Sequence, residues 1–303
     1  MSPLKRFFLM LALVSMWSPS FLFIKLAVHD IPPLTLTSCR VTIAAVLLTL
    51  ILYVRGGTFS LNRTFWIRSA IMAFFASVIP FYLFCYAEQT IDSSLAAIIN
   101  GTTPMFTAVL AQLFVASDRM TPQKVFGVVC SCGGVFLLFA GQIVEGLSGT
   151  LLGLAASVTA AFCYGVSHVY GKLFTTGFTP FLAPAAQLLL SSLMLSPIAL
   201  YVEQPWELSA PSWSAVGGLM GLSLWGTVCA FAVYYKLLEN CGPTALSTVA
   251  CFFPVVGMFL GFFFLGESMT LQGMTGAVLV LAGMILVGEL IKIPLLQPKK
   301  AIK

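Results

Sequence analysis

Apolar residues run along the chain in long blocks separated by short polar gaps. Ten blocks approach the length of about 20 residues that a helix needs to cross a bilayer. They cover roughly 7–28, 34–54, 66–87, 93–115, 123–141, 149–172, 180–201, 213–236, 243–264 and 272–290. None alternates with the period of two that a half-buried strand would show. Pro, Gly and charged residues punctuate the gaps: Asp30-Ile31-Pro32-Pro33, Arg55-Gly56-Gly57, Asp118-Arg119, Glu203-Gln204-Pro205 and Gly242-Pro243. No gap is long enough for a water-exposed domain. The pattern predicts an all-α integral membrane protein of ten transmembrane helices. Lys5 and Arg6 followed by an apolar run imitate a signal peptide, but no small-x-small cleavage site follows. The run is read as the first helix.

Composition fits this reading. Of 303 residues, 59% are hydrophobic and only 8% charged, against about 25% charged in ordinary soluble domains. The net charge of +5 comes from Lys and Arg scattered between apolar runs, which argues against nucleic acid as a partner. These residues read as topology signals. With the N-terminus on one side, that side collects Lys5, Arg6, Arg55, Arg63, Arg68, Arg119, Lys124, Lys172, Lys236, Lys292, Lys299, Lys300 and Lys303, 13 of the 15 basic residues. The other side collects Asp30, Glu88, Asp92, Glu145, Glu203, Glu207 and Glu267. Basic loops stay in the cytoplasm, so both termini are expected there, in a bacterial inner membrane. The eight cysteines fall mostly inside apolar runs, and Cys130 and Cys132 face different sides of a helix. They read as small apolar side chains.

The chain also repeats itself. Asp118-Arg119-Met120-Thr121 with Gly127 resembles Glu267-Ser268-Met269-Thr270 with Gly276. Pro104 answers Pro254, while Lys25, Pro33 and Arg40 answer Lys172, Pro180 and Gln187. A period near 148 divides the protein into residues 1–145 and 146–291, followed by a basic tail, 292–303. Five helices per copy is an odd number, so the second copy is predicted to lie inverted in the membrane, as in alternating-access transporters.

Trp17-Ser18-Pro19-Ser20-Phe21 with Lys25, Ile31-Pro32-Pro33 and Arg40 resembles the opening of EamA-type proteins of the drug/metabolite transporter superfamily. Ala87-Glu88, Ser94-Leu95-Ala96-Ala97, Pro104 and Asp118-Arg119-Met120-Thr121 look like the end of that family's first half. Pro254, Gly266-Glu267 and Gly276 look like the same element in the second. The resemblance covers essentially the whole chain. It implies ten helices, a central cavity lined by helices 1, 3, 4, 6, 8 and 9, and transport of small metabolites. One departure is Ser18-Pro19 where the family has Gly after Trp. A mid-helix proline removes a backbone hydrogen bond, so a kink is expected.

Charge inside a membrane is costly, which makes Lys25 and Arg40 the first candidates for contact with a substrate carboxylate or phosphate. Both have an alternative as side chains that snorkel to lipid headgroups or to outer-loop acids such as Asp30. Both are expected at a similar depth, about 6–9 Å below one surface. Asn100 and Thr103, beside Gly101 and Pro104, mark a weakened stretch of helix 4 suited to a cavity wall. Tyr82, Tyr86, Tyr164 and Gln187 are polar positions within spans, and Trp17, Trp225 and Phe252 could supply aromatic walls. His168 is a candidate proton-sensitive gate or, equally, a neutral histidine bonded to a neighbouring helix. Gly133, Gly134, Gly273, Gly276 and Gly283 read as helix-packing positions, and Trp66, Trp206 and Trp213 as interfacial anchors.

No acid lies in the middle third of any predicted helix. This argues against strong proton coupling, a metal site or any cofactor. The reading is a carrier, not an enzyme, for amino acids or related amphipathic solutes, with export or exchange preferred. Alternatives are a cation-coupled multidrug exporter, an uptake carrier for a nucleoside-like metabolite and, less well supported, a membrane enzyme acting on lipid carriers. The expected partners are a small solute and membrane lipids; a homodimer is left open.

Overall fold

The computed structural model describes residues 3–59, 62–115, 120–144, 148–174, 181–234, 237, 249, 252–288 and 291. Every regular element among them is helical. Eight helices are long and apolar enough to cross a membrane: α1 (Phe8–Val28), α2 (Pro33–Val54), α3 (Arg63–Ala87), α4 (Ser93–Phe114), α5 (Pro122–Ala140), α6 (Thr150–Leu173), α7 (Leu182–Val202) and α8 (Trp213–Tyr234). Two shorter apolar helices follow, α9 (Phe253–Leu265) and α10 (Leu271–Val287). All ten predicted runs therefore contain helix, but only eight meet the length of a full span among the described residues. Several sequence features lie outside those residues: Asp118-Arg119, Glu145, Pro180, Lys236, Glu239, Cys241, Gly242-Pro243, Cys251, residues 243–248 of the ninth run and the tail 292–303.

Local chemistry sets the helix starts. Prolines, whose missing N–H costs nothing at a first turn, open α2 at Pro33 and α5 at Pro122. Side-chain oxygens of Asn62, Ser212 and Thr270 accept backbone N–H bonds from Thr64, Ala215 and Gly273 at the starts of α3, α8 and α10.

Extensive contacts join α1 to α8, α3 to α6, α2 to α7, α4 to α9 and α5 to α10, and α4 also packs along α6. The α5–α10 crossing depends on glycines. A methyl group on Gly134 would lie 2.6 Å from the carbonyl oxygen of Gly276, and one on Gly127 2.7 Å from that of Gly283. With no driving force for apolar burial in lipid, such close backbone approach is how membrane helices gain contact. Gly133 and Gly273, expected to share this role, meet no neighbouring helix.

Several helices are interrupted. The first is two pieces, Pro3–Trp17 and Ser20–Val28, divided at Ser18-Pro19 where the sequence predicts a kink. The fourth divides at Gly101-Thr102, giving Ser93–Asn100 and Thr103–Phe114. α3 and α8 each contain a π-helical stretch, Phe74–Val78 and Gly221–Cys229, which the sequence does not announce. π-turns and prolines in a helix free backbone groups and redirect side chains.

Candidate functional site

The break in α1 exposes the carbonyl of Ser15, whose helical donor would be residue 19, a proline. The indole Nε1 of Trp225, on the π-stretch of α8, donates to that oxygen at 3.1 Å. Next to the break, the Trp17 ring lies 5.5 Å from Tyr234 and 6.3 Å from Phe253, centroid to centroid. One aromatic group thus joins α1, α8 and α9.

Arg40 lies on α2 with only 5% of its surface exposed. Its guanidinium carbon sits 3.8 Å from the centroid of the Phe81 ring of α3, a cation–π contact. Its Nε donates to Thr227 Oγ1 on α8 at 3.0 Å. Thr227 in turn donates to the Leu222 carbonyl five residues back, a bond that the π-turn makes available. Among the described residues no acid pairs with Arg40. A buried charge is costly unless something neutralises it, which makes the guanidinium the candidate position for an anionic group. Beside it, Phe84 stacks on Tyr164 of α6 at 6.1 Å and meets Phe21 of α1 edge-on at 5.4 Å.

The α4 break forms a second polar locus. Thr102 Oγ1 donates to the Ile99 carbonyl at 2.6 Å, and Thr103 Oγ1 donates to Asn100 Oδ1 at 3.3 Å. Hydroxyls satisfy groups near the break, as the sequence leads one to expect. Gly101 is required there: a methyl group would lie 2.8 Å from both the Pro254 ring and the Met284 sulfur.

One end of the bundle is acidic. Glu203 accepts from the backbone N–H groups of Leu34 and Thr35 at 2.9 and 2.6 Å, at the start of α2. Glu267 accepts from Ser93 and Ser94 at 2.7 and 2.9 Å, at the start of α4. Asp30 accepts from the Ser212 N–H at 2.9 Å, at the start of α8. Each carboxylate meets the positive end of a helix distant in sequence. The His29 ring first, and then Ser212, hold Asp30 down at about 2.

The predicted residues therefore fall into separate groups. Lys25 and Arg40 have different protein partners. Lys25 donates to the carbonyls of Glu88 and Ile91 at 2.9 and 2.7 Å, closing the C-terminal end of α3. The orphan carbonyls of a helix end thus hold its ammonium, while Arg40 donates to Thr227. Gln187 is buried and donates to Ser77 Oγ, in the π-stretch of α3, at 2.7 Å. Tyr82 and Tyr86 lie ring to ring at 6.2 Å, with Tyr86 exposed. His168 is exposed and 3.4 Å from the Thr107 hydroxyl. Phe252 is exposed at the start of α9. Phe84, Phe21 and Thr227 around Arg40 escape the sequence reading. Their types are common in apolar helices, and only the tertiary arrangement singles them out.

A bundle of apolar helices, several interrupted within the bundle and holding a buried, acid-free arginine, defines a multi-pass membrane protein. The chain belongs to the EamA-like transporter family, which it matches over residues 4–140 and again over 151–288. It is 26% identical to the uncharacterized transporter YoaV of Bacillus subtilis over 279 residues, covering 90% of this chain and 94% of that protein. A probable amino-acid metabolite efflux pump of Salmonella typhimurium is 26% identical over 298 residues, covering 91% and 92%. The uncharacterized inner membrane transporter YedA of Escherichia coli K12 is 27% identical over 261 residues, covering 86% and 82%. A solved structure described only as "Crystal structure of protein" superposes with a TM-score of 0.67 at 16% identity, covering 95% of this chain and 99% of that one. That likeness concerns the fold alone.

Proposed function

We propose that this protein is an alternating-access carrier for small amphipathic solutes bearing a carboxylate, amino acids or related metabolites, working as an exporter or exchanger. Arg40 carries the reading. Buried against Phe81 and lacking an acid, it offers two terminal nitrogens to a planar anion. Phe21, Phe84 and Tyr164 supply aromatic surface beside it. The similarity to a probable amino-acid metabolite efflux pump points the same way. A pump for cationic drugs is disfavoured, since Arg40 would repel such a substrate.

The proposal includes ten spans in two inverted halves, near 1–145 and 146–291, in a bacterial inner membrane with both termini cytoplasmic. Four features support it. The pairing α1–α8, α3–α6, α2–α7, α4–α9, α5–α10 is unchanged when each helix is exchanged for the one five places along. π-stretches occur in the third helix of each half, Phe74–Val78 and Gly221–Cys229. Helical segments start with Pro second at Thr103-Pro104 and Phe253-Pro254. Finally, α1 ends at the acidic end, where Lys25 meets Glu88, whereas α6 begins there, with Gly153 against Thr90.

Counterflow in proteoliposomes is the test. Labelled amino acids, nucleosides and organic cations would be offered to vesicles preloaded with the same unlabelled solute. Accumulation of a carboxylate-bearing solute, and not of the cations, is expected. Accumulation of cations alone would contradict the reading.

A further inference from the structure

The Glu88 carboxyl is left unused by this account, and its surroundings are unusual. Glu88 caps the C-terminal end of α3 and is 0% exposed. Among the described residues neither of its carboxyl oxygens has a hydrogen-bond partner. Its backbone carbonyl, not its side chain, receives Lys25. Glu267 stands close by, already committed to the N–H groups of Ser93 and Ser94. Glu88 therefore lies under a junction where α1, the end of α3, the start of α4 and the α9–α10 connection are tied together by Lys25 and Glu267.

A buried carboxylate with no donor is far costlier than a buried carboxylic acid. Burial is the main cause that pushes Glu88 well above the ordinary carboxylate range; Lys25 opposes it and Glu267 adds to it. The other titratable groups near it are few. Asp92 lies in the α3–α4 connection and also feels Glu267 and Lys25. Cys85 is one turn back on α3 and interacts with both Glu88 and Glu203. Arg40 is the only charge on α2, and α6 carries no acid or base between residues 148 and 162.

We propose that Glu88 is a proton-binding latch: its carboxyl carries a proton while the acidic end of the bundle is closed and releases it to water when that end opens. The sign follows from linkage. A group that holds its proton more tightly in the closed form favours that form at low pH. In the open form, hydrated Glu88 returns to the ordinary carboxylate range. Between that range and the raised closed-state position, the ratio of open to closed protein rises by about tenfold per pH unit. Glu88 lies at a helix end, so the lack of mid-span acids does not speak to its protonation.

Ser94, 2% exposed beneath Glu267, serves as the reporter. Protein carrying Ser94→Cys in lipid nanodiscs would be treated with a membrane-impermeant maleimide, and modification at position 94 read by peptide mass spectrometry. Rates would be normalised to Gln89→Cys, an exposed site that reports thiol ionisation alone. The normalised rate is expected to rise by about tenfold per pH unit and to become low and flat when Glu88→Gln is added, since the amide mimics the protonated form. In parallel, infrared spectra of the unaltered protein should show a carboxylic-acid carbonyl band that disappears over the pH range in which Ser94→Cys becomes reactive. A flat profile with Glu88 intact, an unchanged slope with Glu88→Gln, or no titrating acid band would each overturn the latch.

Discussion

Trp225 supplies the hydrogen bond that Pro19 removes from α1: its indole Nε1 lies 3.1 Å from the Ser15 carbonyl oxygen that residue 19 cannot serve. The bond ties the broken first helix to the π-stretch of α8. The kink is therefore a joint with a partner on another helix.

Trp225→Phe should destabilise the protein by about 1 kcal/mol, the usual net worth of such a bond. Pro19→Ala restores a donor to Ser15 within α1 and should recover most of that loss in the double variant. Denaturant unfolding in detergent, arranged as a double-mutant cycle, measures both. Additive effects would show that the two residues are not coupled.

Glu203 accepts from two N–H groups at the start of α2, where Pro32 at the cap position offers no side-chain bond. Glu203→Ala should cost about 1–2 kcal/mol of stability through loss of this cap. Unfolding midpoints of the two proteins at neutral pH and equal detergent concentration check this.

The Asp30 cap on α8 should be acid-sensitive. Its pKa falls from the ordinary 3.8 to about 2 through His29 and Ser212. A depressed folded-state pKa contributes stability fully above the ordinary value and loses it as pH falls through the folded value. The stability difference between the natural protein and Asp30→Asn should thus hold steady above about 4 and shrink as pH falls towards 2. Thermal unfolding at stepped pH reads the difference directly.

Much of the fold is legible in the sequence because lipid as solvent demands long apolar runs. Two breaks are legible as well, since Pro19 and the Gly101–Pro104 stretch carry local causes. The π-stretches at Phe74–Val78 and Gly221–Cys229 carry no comparable local mark. For the site, depth is readable and partnership is not. Lys25 and Arg40 are equally conspicuous as charges, yet one serves backbone carbonyls and the other faces Phe81 and Thr227. Glu88 sits at a span end, as the sequence has it, but its neighbours Lys25 and Glu267 come from α1 and from the α9–α10 connection.

Binding to Arg40→Ala and Arg40→Lys proteins tests whether Arg40 receives the substrate carboxylate. A solute identified by counterflow and its neutral amide would be titrated calorimetrically against the natural protein and both variants. A charge-assisted pair of this kind is worth about 1.5–3 kcal/mol. Arg40→Ala should weaken the carboxylate by roughly 10- to 150-fold and leave the amide nearly unchanged, with Arg40→Lys recovering only part of the loss. Equal weakening of acid and amide, or none of either, would contradict the account.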